Sequence, residues 1–246
     1  PFISNRKLEG YVATKFNNSS YLSSNHFGIK WGKQNLSFNL YGQYSLSSDY
    51  RLPNYYYLFN SRFKQNAVKF SVLHRYKKMK NVFRYHMHNE SPGIPAHSHA
   101  VDPANIELTD IASRSLDLKG AFRLLTPYQQ VNNQLFIYEM TYLIDNLKFS
   151  FNAGHFINNL KEYEKWTRPA FDLTLSNTQI MPNIRYQMKD FTFNLGSQIS
   201  MLDNKNNIDE RLVPDASSIN IGPFLIVDYE KNNIGFNTGL RHDYKN

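Results

Sequence analysis

Apolar and polar residues alternate with a period of two along nearly the whole chain, the spacing that sends successive side chains of a strand to opposite faces. In Leu36 to Ser47 (LSFNLYGQYSLS) the even positions carry Leu36, Phe38, Leu40, Gly42, Tyr44 and Leu46, and the odd ones are mostly Ser, Asn and Gln. In Phe191 to Met201 (FTFNLGSQISM) the odd positions carry Phe191, Phe193, Leu195, Ile199 and Met201 against Thr192, Asn194, Gly196, Gln198 and Ser200. Similar stripes run through Phe27 to Trp31, Val68 to Tyr76, Phe83 to Met87, Phe136 to Tyr142, Leu147 to Ala153, Ile180 to Tyr186, Ile219 to Val227 and Ile234 to Leu240. With Tyr11 to Phe16 at the start, the pattern predicts about eleven antiparallel strands.

The connections alternate as well. Short polar turns fall at Gly32 to Asn35, Lys77 to Asn81, Ile144 to Asn146, Met188 to Asp190 and Glu230 to Asn233. Long connections intervene at Ser47 to Asn66, Asn89 to about Gln130, Asn158 to about Phe171, and Leu202 to Ala216. A soluble sandwich has no reason to gather its long loops at one end and its tight turns at the other, whereas an outer-membrane barrel does. Segments of about ten to twelve residues also match a tilted membrane span better than an ordinary soluble strand.

Composition narrows the picture further. Aromatic residues make up 15% of the 246 residues and suit interfacial girdles. A mean hydropathy of -0.55 is too polar for a helical membrane bundle, and no run reaches the roughly 18 apolar residues of a spanning helix. No basic-then-apolar leader opens the chain at Pro1, which predicts a processed or truncated start. The absence of cysteine excludes disulfides, thiol nucleophiles and thiolate metal sites. The net charge of +8 is scattered apart from Arg75 to Lys80, so it draws no footprint for nucleic acid and argues against such a partner. An odd strand count would leave Asn246 at the outer side. Single-chain bacterial barrels have even counts, so the chain reads as an incomplete piece of a barrel of about 22 strands.

Several loop and strand-end segments then stand in a telling order: SSDYRLPNYYYLFNSRF (Ser47 to Phe63), GIPAHSH (Gly93 to His99), TPYQQVNNQ (Thr126 to Gln134), FNAGHFINNLKEYE (Phe151 to Glu164), LVPDASSINIGPFL (Leu212 to Leu225) and GLRHDYKN (Gly239 to Asn246). Together they resemble TonB-dependent outer-membrane receptors of the Bacteroidetes type, with residues 1–246 as the first half of the barrel. The resemblance implies an all-β, antiparallel transmembrane β-barrel with short periplasmic turns and long extracellular loops. It also implies a plug domain and C-terminal strands that are absent here, and location in the Gram-negative outer membrane among lipid and lipopolysaccharide. Its implied activity is energised, non-enzymatic import of a scarce solute (an iron-siderophore or other metal chelate, cobalamin or haem), driven by the TonB complex through the missing plug, with no resident cofactor required. The family's usual Gly-x-Arg-Tyr-Asp element reads Gly239, Leu240, Arg241, His242, Asp243 here.

Four of the eight histidines lie in YHMHNESPGIPAHSH, Tyr85 to His99. If Phe83, Tyr85 and Met87 face lipid, then Arg84, His86 and His88 face the lumen. Histidines at i and i+2 lie roughly 6.5 to 7 Å apart on one strand face, within reach of a shared metal, and His97 and His99 in the loop beyond would complete a set. The candidate substrate contacts are Arg84, His86, His88, His97, His99 and Tyr56, and the candidate metal ligands are the four histidines. A polar lumen wall that merely contains histidine explains the same residues. Glu162 and Glu164 read as a solvated strand end rather than an acid–base pair; the Tyr55, Tyr56, Tyr57 and Phe59 cluster could stack on an aromatic siderophore or a sugar, but reads better as an outer girdle or a packed loop. A passive porin or adhesin, and a soluble carbohydrate-binding β domain, stand as the rival functional classes.

Overall fold

The computed structural model describes residues 7–52, 57–95, 121–165, 167–211 and 213–246. They form one antiparallel sheet: β1 (Lys7–Asn17), β2 (Leu22–Lys33), β3 (Leu36–Ser47), β4 (Phe63–Tyr76), β5 (Met79–Pro92), β6 (Tyr128–Ile144), β7 (Leu147–Tyr163), β8 (Phe171–Met188), β9 (Phe191–Asn206), β10 (Ala216–Lys231), β11 (Ile234–Arg241) and the two-residue β12 (Tyr244–Lys245). Each strand from β1 to β11 pairs with its neighbours in sequence, and the sheet does not close on itself.

The twelfth strand continues the eleventh. β11 pairs Arg241 with Phe224, and β12 resumes in the same register with Tyr244 opposite Ile221. Pro223 stands in the gap; it accepts from the His242 N–H at 3.1 Å but has no N–H to return. Pro182 interrupts the β8–β9 ladder in the same way, between Ile180↔Ile199 and Asn183↔Gly196. The expected count of about eleven strands therefore holds.

Five connections, at residues 34–35, 77–78, 145–146, 189–190 and 232–233, are two-residue turns at one end of the sheet. Their first residues, Gln34, Lys77, Asp145, Lys189 and Asn232, have φ between 46° and 50°. That left-handed geometry matches the twist of the paired strands, which is why two residues suffice. The other connections, 18–21, 48–62, 93–127, 164–170 and 207–215, leave and rejoin the sheet at the opposite end. Several are shorter than their sequence suggests, because β5, β7 and β9 run on to Pro92, Tyr163 and Asn206. In those extensions both faces are polar, as in Asn158, Asn159, Lys161 and Glu162, so alternation fades although the ladder continues.

Paired residues share a face, so the register sorts the sheet into two surfaces. One carries Phe38, Leu40, Phe70, Phe83, Phe136, Phe149, Ile180, Leu195 and Ile221. On β9 its apolar stretch runs from Phe191 to Met201, about 25 Å along the barrel axis for a strand tilted as in membrane barrels. Rings meet at its turn end, Trp31 stacked on Phe38 at 5.4 Å and Phe191 tilted against Tyr229 at 4.8 Å. The other face is dominated by Ser, Asn, Gln and charged residues.

Among the described residues no second layer covers the sheet, and most of the deepest-buried polar groups (Ser48, Asp49, Asn60 and Arg62) lie in a long connection. Asp49 and Arg62, each 1% exposed, form a bidentate ion pair. Arg62 also donates to the Arg123 carbonyl at 2.7 Å. The Asn60 amide donates to the carbonyls of Ile94 and Pro127 at 3.2 and 2.6 Å. Gly93 passes so close that a Cβ there would stand 2.3 Å from the Asn60 carbonyl oxygen. The described parts of connections 48–62 and 93–127 are thus tied into one pedestal at the long-loop end.

Candidate functional site

The polar face of β2 to β6 carries the densest chemistry. One row of cross-strand partners runs Tyr11, Gly28, Tyr41, Lys69, His86, Leu135. The next row toward the long loops runs His26, Gln43, Ala67, His88, Asn133. Alternation along β5 therefore puts Arg84, His86 and His88 on the polar face, as the sequence predicts.

Arg84 is committed to a carboxylate: its Nη1 lies 2.7 Å from Glu139 Oε1 of β6. His86 sits between Lys69 and Leu135. The Nε2 of His88 is 3.8 Å from Glu90 Oε2 and is shielded from solvent without a hydrogen-bond partner. Among the described residues no group of three His, Asp or Glu side chains is arranged to hold a metal. His97, His99 and Tyr56 lie outside the described residues, so the four-histidine set and the tyrosine contact stand as sequence expectations. Glu162 accepts from Gln129 Nε2 at 2.8 Å, a strand-end contact across β6 and β7.

A second constellation, unmarked by any sequence motif, lies beside this row. Tyr41 donates to Gln43 Oε1 at 3.0 Å and Gln43 Nε2 donates to Ser45 Oγ at 3.1 Å. Ser45 and Ser24 hydroxyls meet at 2.6 Å, Ser24 Oγ meets His26 Nε2 at 2.8 Å, and His26 Nδ1 meets Tyr41 Oη at 2.9 Å. Because the tyrosine proton goes to Gln43, its oxygen accepts from His26 Nδ1–H. Five side chains then close a hydrogen-bonded ring.

This ring holds Tyr41 in place, with Lys69 Nζ 5.6 Å from its ring centroid. Tyr11 covers Gly28, where a Cβ would stand 2.3 Å from its ring. The product is an open surface of fixed aromatic, imidazole and ammonium groups, suited to binding rather than to bond-making. The only sequence signal for it was the Ser, His, Tyr and Gln content of one face of β2 and β3; the pairing register made these residues neighbours.

On β7 to β10 the same face changes character. A hollow of about 520 Å³ over Gly154 is lined by Leu135, Ile137, Phe156, Met181, Asn177 and Gln179 among others. Amides bond across strands there, Asn158 to Asn133 at 2.8 Å and Ser200 to Asn177 at 3.4 Å. Beyond the apolar band, on the opposite face, Lys161 pairs with Asp172 at 3.0 Å and Asn159 and Asn207 donate to the same carboxylate at 3.1 and 2.7 Å.

No family model and no curated protein matches this chain in sequence. Among solved structures it is similar to a point variant of the ferric enterobactin receptor of Pseudomonas aeruginosa, at a TM-score of 0.65 and 10% identity. The match covers 98% of this chain and 40% of that one.

Proposed function

We propose that the sheet, which is similar in fold to a ferric enterobactin receptor barrel, is part of a TonB-dependent receptor barrel with its apolar face outward and its polar face toward the lumen. On that reading residues 1–246 supply about half the wall of an outer-membrane receptor, completed by a plug and further strands, that captures a scarce solute for TonB-driven import. The observation that carries this reading is the combination of a two-faced wall with long connections tied together at one end and tight turns at the other. A diffusion porin has no need of such a pedestal. The assignment to the Bacteroidetes type rests on the loop and strand-end motifs quoted above.

The solute we favour is an iron-siderophore or other metal chelate, with haem and cobalamin in the same class. Lys69, Tyr41 and His86 form one row of lumen-facing groups that would attract an anionic, aromatic ligand. His88, with Glu90 nearby, and the loop residues His97, His99 and Tyr56 would extend the contact outward, with the histidines able to ligate an exposed metal. The wall supplies selectivity and no bond chemistry, so the protein is not an enzyme on this reading. Outside the apolar band, Lys64, Lys161 and Lys205 face outward, where lipopolysaccharide phosphates would meet them.

The test is uptake of iron-55 catecholate and hydroxamate chelates by cells carrying the complete protein, with and without TonB. TonB-dependent uptake that falls at least fivefold in His86→Ala/His88→Ala supports the reading. TonB-independent permeation would replace it with a porin, and unchanged uptake in the double variant would remove the histidines from the site.

A further inference from the structure

Carboxylates are scarce across the first third of the chain. Between Glu9 and Glu90 stand twelve Lys and Arg but a single acid, Asp49, which is buried against Arg62. The densest basic run, Arg75 to Lys80, forms the tip of the β4–β5 hairpin, with Lys77 and Lys78 as its two turn residues.

Two surfaces meet at this tip. Tyr76 and Met79 are partners across the ladder and lie on the apolar face, in a row continued by Tyr142 and Phe149. Lys77 folds back over that row, its Nζ 5.3 Å from the Tyr76 ring centroid. Farther from the turn on the same face, Tyr138 donates to Asn81 Oδ1 at 2.8 Å, and among the described residues the Asn81 Nδ2 group has no partner. On the polar face Arg75 stands directly opposite Lys80. Like charges so placed repel, and neither meets a carboxylate among the described residues. The acids of β6 and its turn are engaged elsewhere, Glu139 with Arg84 at 2.7 Å and Asp145 with Lys78 at 3.4 Å. The second is an exposed pair that costs little to open.

Cations beside an apolar, aromatic row complement a ligand that is anionic at one end and apolar at the other. A free anion or an acidic peptide would use the lysines and leave Tyr76, Met79 and Tyr142 uncovered. A zwitterionic headgroup brings an ammonium of its own, for which the tip offers only the carboxylate that Lys78 already holds. A headgroup of net negative charge meets no such conflict.

We propose that the β4–β5 tip is a headgroup site for an anionic phospholipid in the leaflet at the turn end, with Lys77 and Lys78 on its phosphate, Asn81 Nδ2 on a glycerol or ester oxygen, and its acyl chains along Tyr76 and Met79. The inference rests on the outward, lipid-facing assignment of the apolar face in the preceding reading. It adds a ligand on the outer side of the wall, away from any solute in the lumen.

The experiment is native mass spectrometry of the complete protein released from detergent micelles, titrated with dioleoylphosphatidylglycerol, dioleoylphosphatidylethanolamine and the chain-free headgroup glycerophosphoglycerol. The glycerol lipid is expected to bind about fivefold or more tighter than the ethanolamine lipid, and the chain-free headgroup far more weakly than either. The preference between the lipids should be lost in Lys77→Asn/Lys78→Gln, where asparagine suits the φ of 49° at position 77. Lys189→Asn/Lys231→Gln removes the same charge beside Asp190 at the same end and should leave the preference unchanged. Heat-modified gel mobility checks that each variant is folded. Four outcomes overturn the proposal: no preference between the lipids, a preference that survives in the folded tip variant, an equal loss in the second variant, or a headgroup that binds as tightly as the lipid and so marks a free-anion site. A protein that imports chelate through TonB but shows no lipid preference refutes this inference and leaves the functional reading standing. A tip-dependent preference in a barrel without TonB dependence does the reverse.

Discussion

Asp49 and Arg62 show how much one residue decides here. Both are fully enclosed, and the arginine satisfies the carboxylate and a carbonyl of the next long connection together. Asp49→Ala leaves a buried guanidinium without its anion and is expected to destabilise the folded protein by about 3–5 kcal/mol. Urea denaturation in detergent micelles, followed by tryptophan fluorescence, would measure it, and a loss below about 1 kcal/mol would mean that water reaches the pair. Neither residue announced itself in the sequence: an Asp and an Arg in a polar connection read as solvated. Their pairing depends on the path of 48–62, which places Asp49 beside Arg62 across a turn-back that no periodicity describes.

At the scale of elements, the proline interruptions and the loop anchors have separate consequences. Pro223→Val restores an N–H opposite His242, so β11 and β12 should fuse into one strand. Slower amide exchange at residues 241–244 and a gain of about 1 kcal/mol are expected; unchanged exchange would show that the break is set by Gly222 and Asp243 instead. The 207–215 connection is anchored differently. The Asn206 backbone N–H and side-chain amide both donate to Asp215 Oδ1 at 2.7 Å, and they hold its carboxyl below the ordinary carboxylate range, with Arg211 and Lys205 adding weaker pulls. A lowered folded-state pKa means that the anchor is in full force above about pH 4 and is lost as pH falls through the lower folded value. Amide exchange in 207–215 should therefore rise as pH is taken from 5 to 2 relative to intrinsic rates, and Asp215→Asn should abolish that pH response. The strands themselves were legible from alternation, except where they run beyond the apolar band with polar residues on both faces.

For the whole molecule, the proposed function turns on one face meeting lipid and the other an aqueous lumen. Leu195 and Asn194 are sequence neighbours on opposite faces of β9. Leu195→Arg places a guanidinium in hydrocarbon and should destabilise the barrel by about 2–4 kcal/mol, whereas Asn194→Arg should cost little. Equal effects, measured by denaturant titration in lipid vesicles, would contradict the assignment of faces. On the proposed reading the same division organises function, since ligand selectivity would reside on the lumen side.

The sequence by itself determined that the chain is all-β, that it forms about eleven strands, which residues share a face, and which end bears the long connections. Those features follow from local periodicity and turn chemistry, and each can be read within a window of a dozen residues. It also placed Arg84, His86 and His88 together on the polar face. Tertiary structure alone decided which residues of different strands become neighbours. The Ser24, His26, Tyr41, Gln43 and Ser45 ring, the pairing of Arg84 with Glu139 and the Asp49–Arg62 pedestal all depend on pairing register and loop path. Alternation specifies a face but carries no information about the residue standing across the ladder, because that choice is made by the hydrogen bonds and contacts of the assembled sheet.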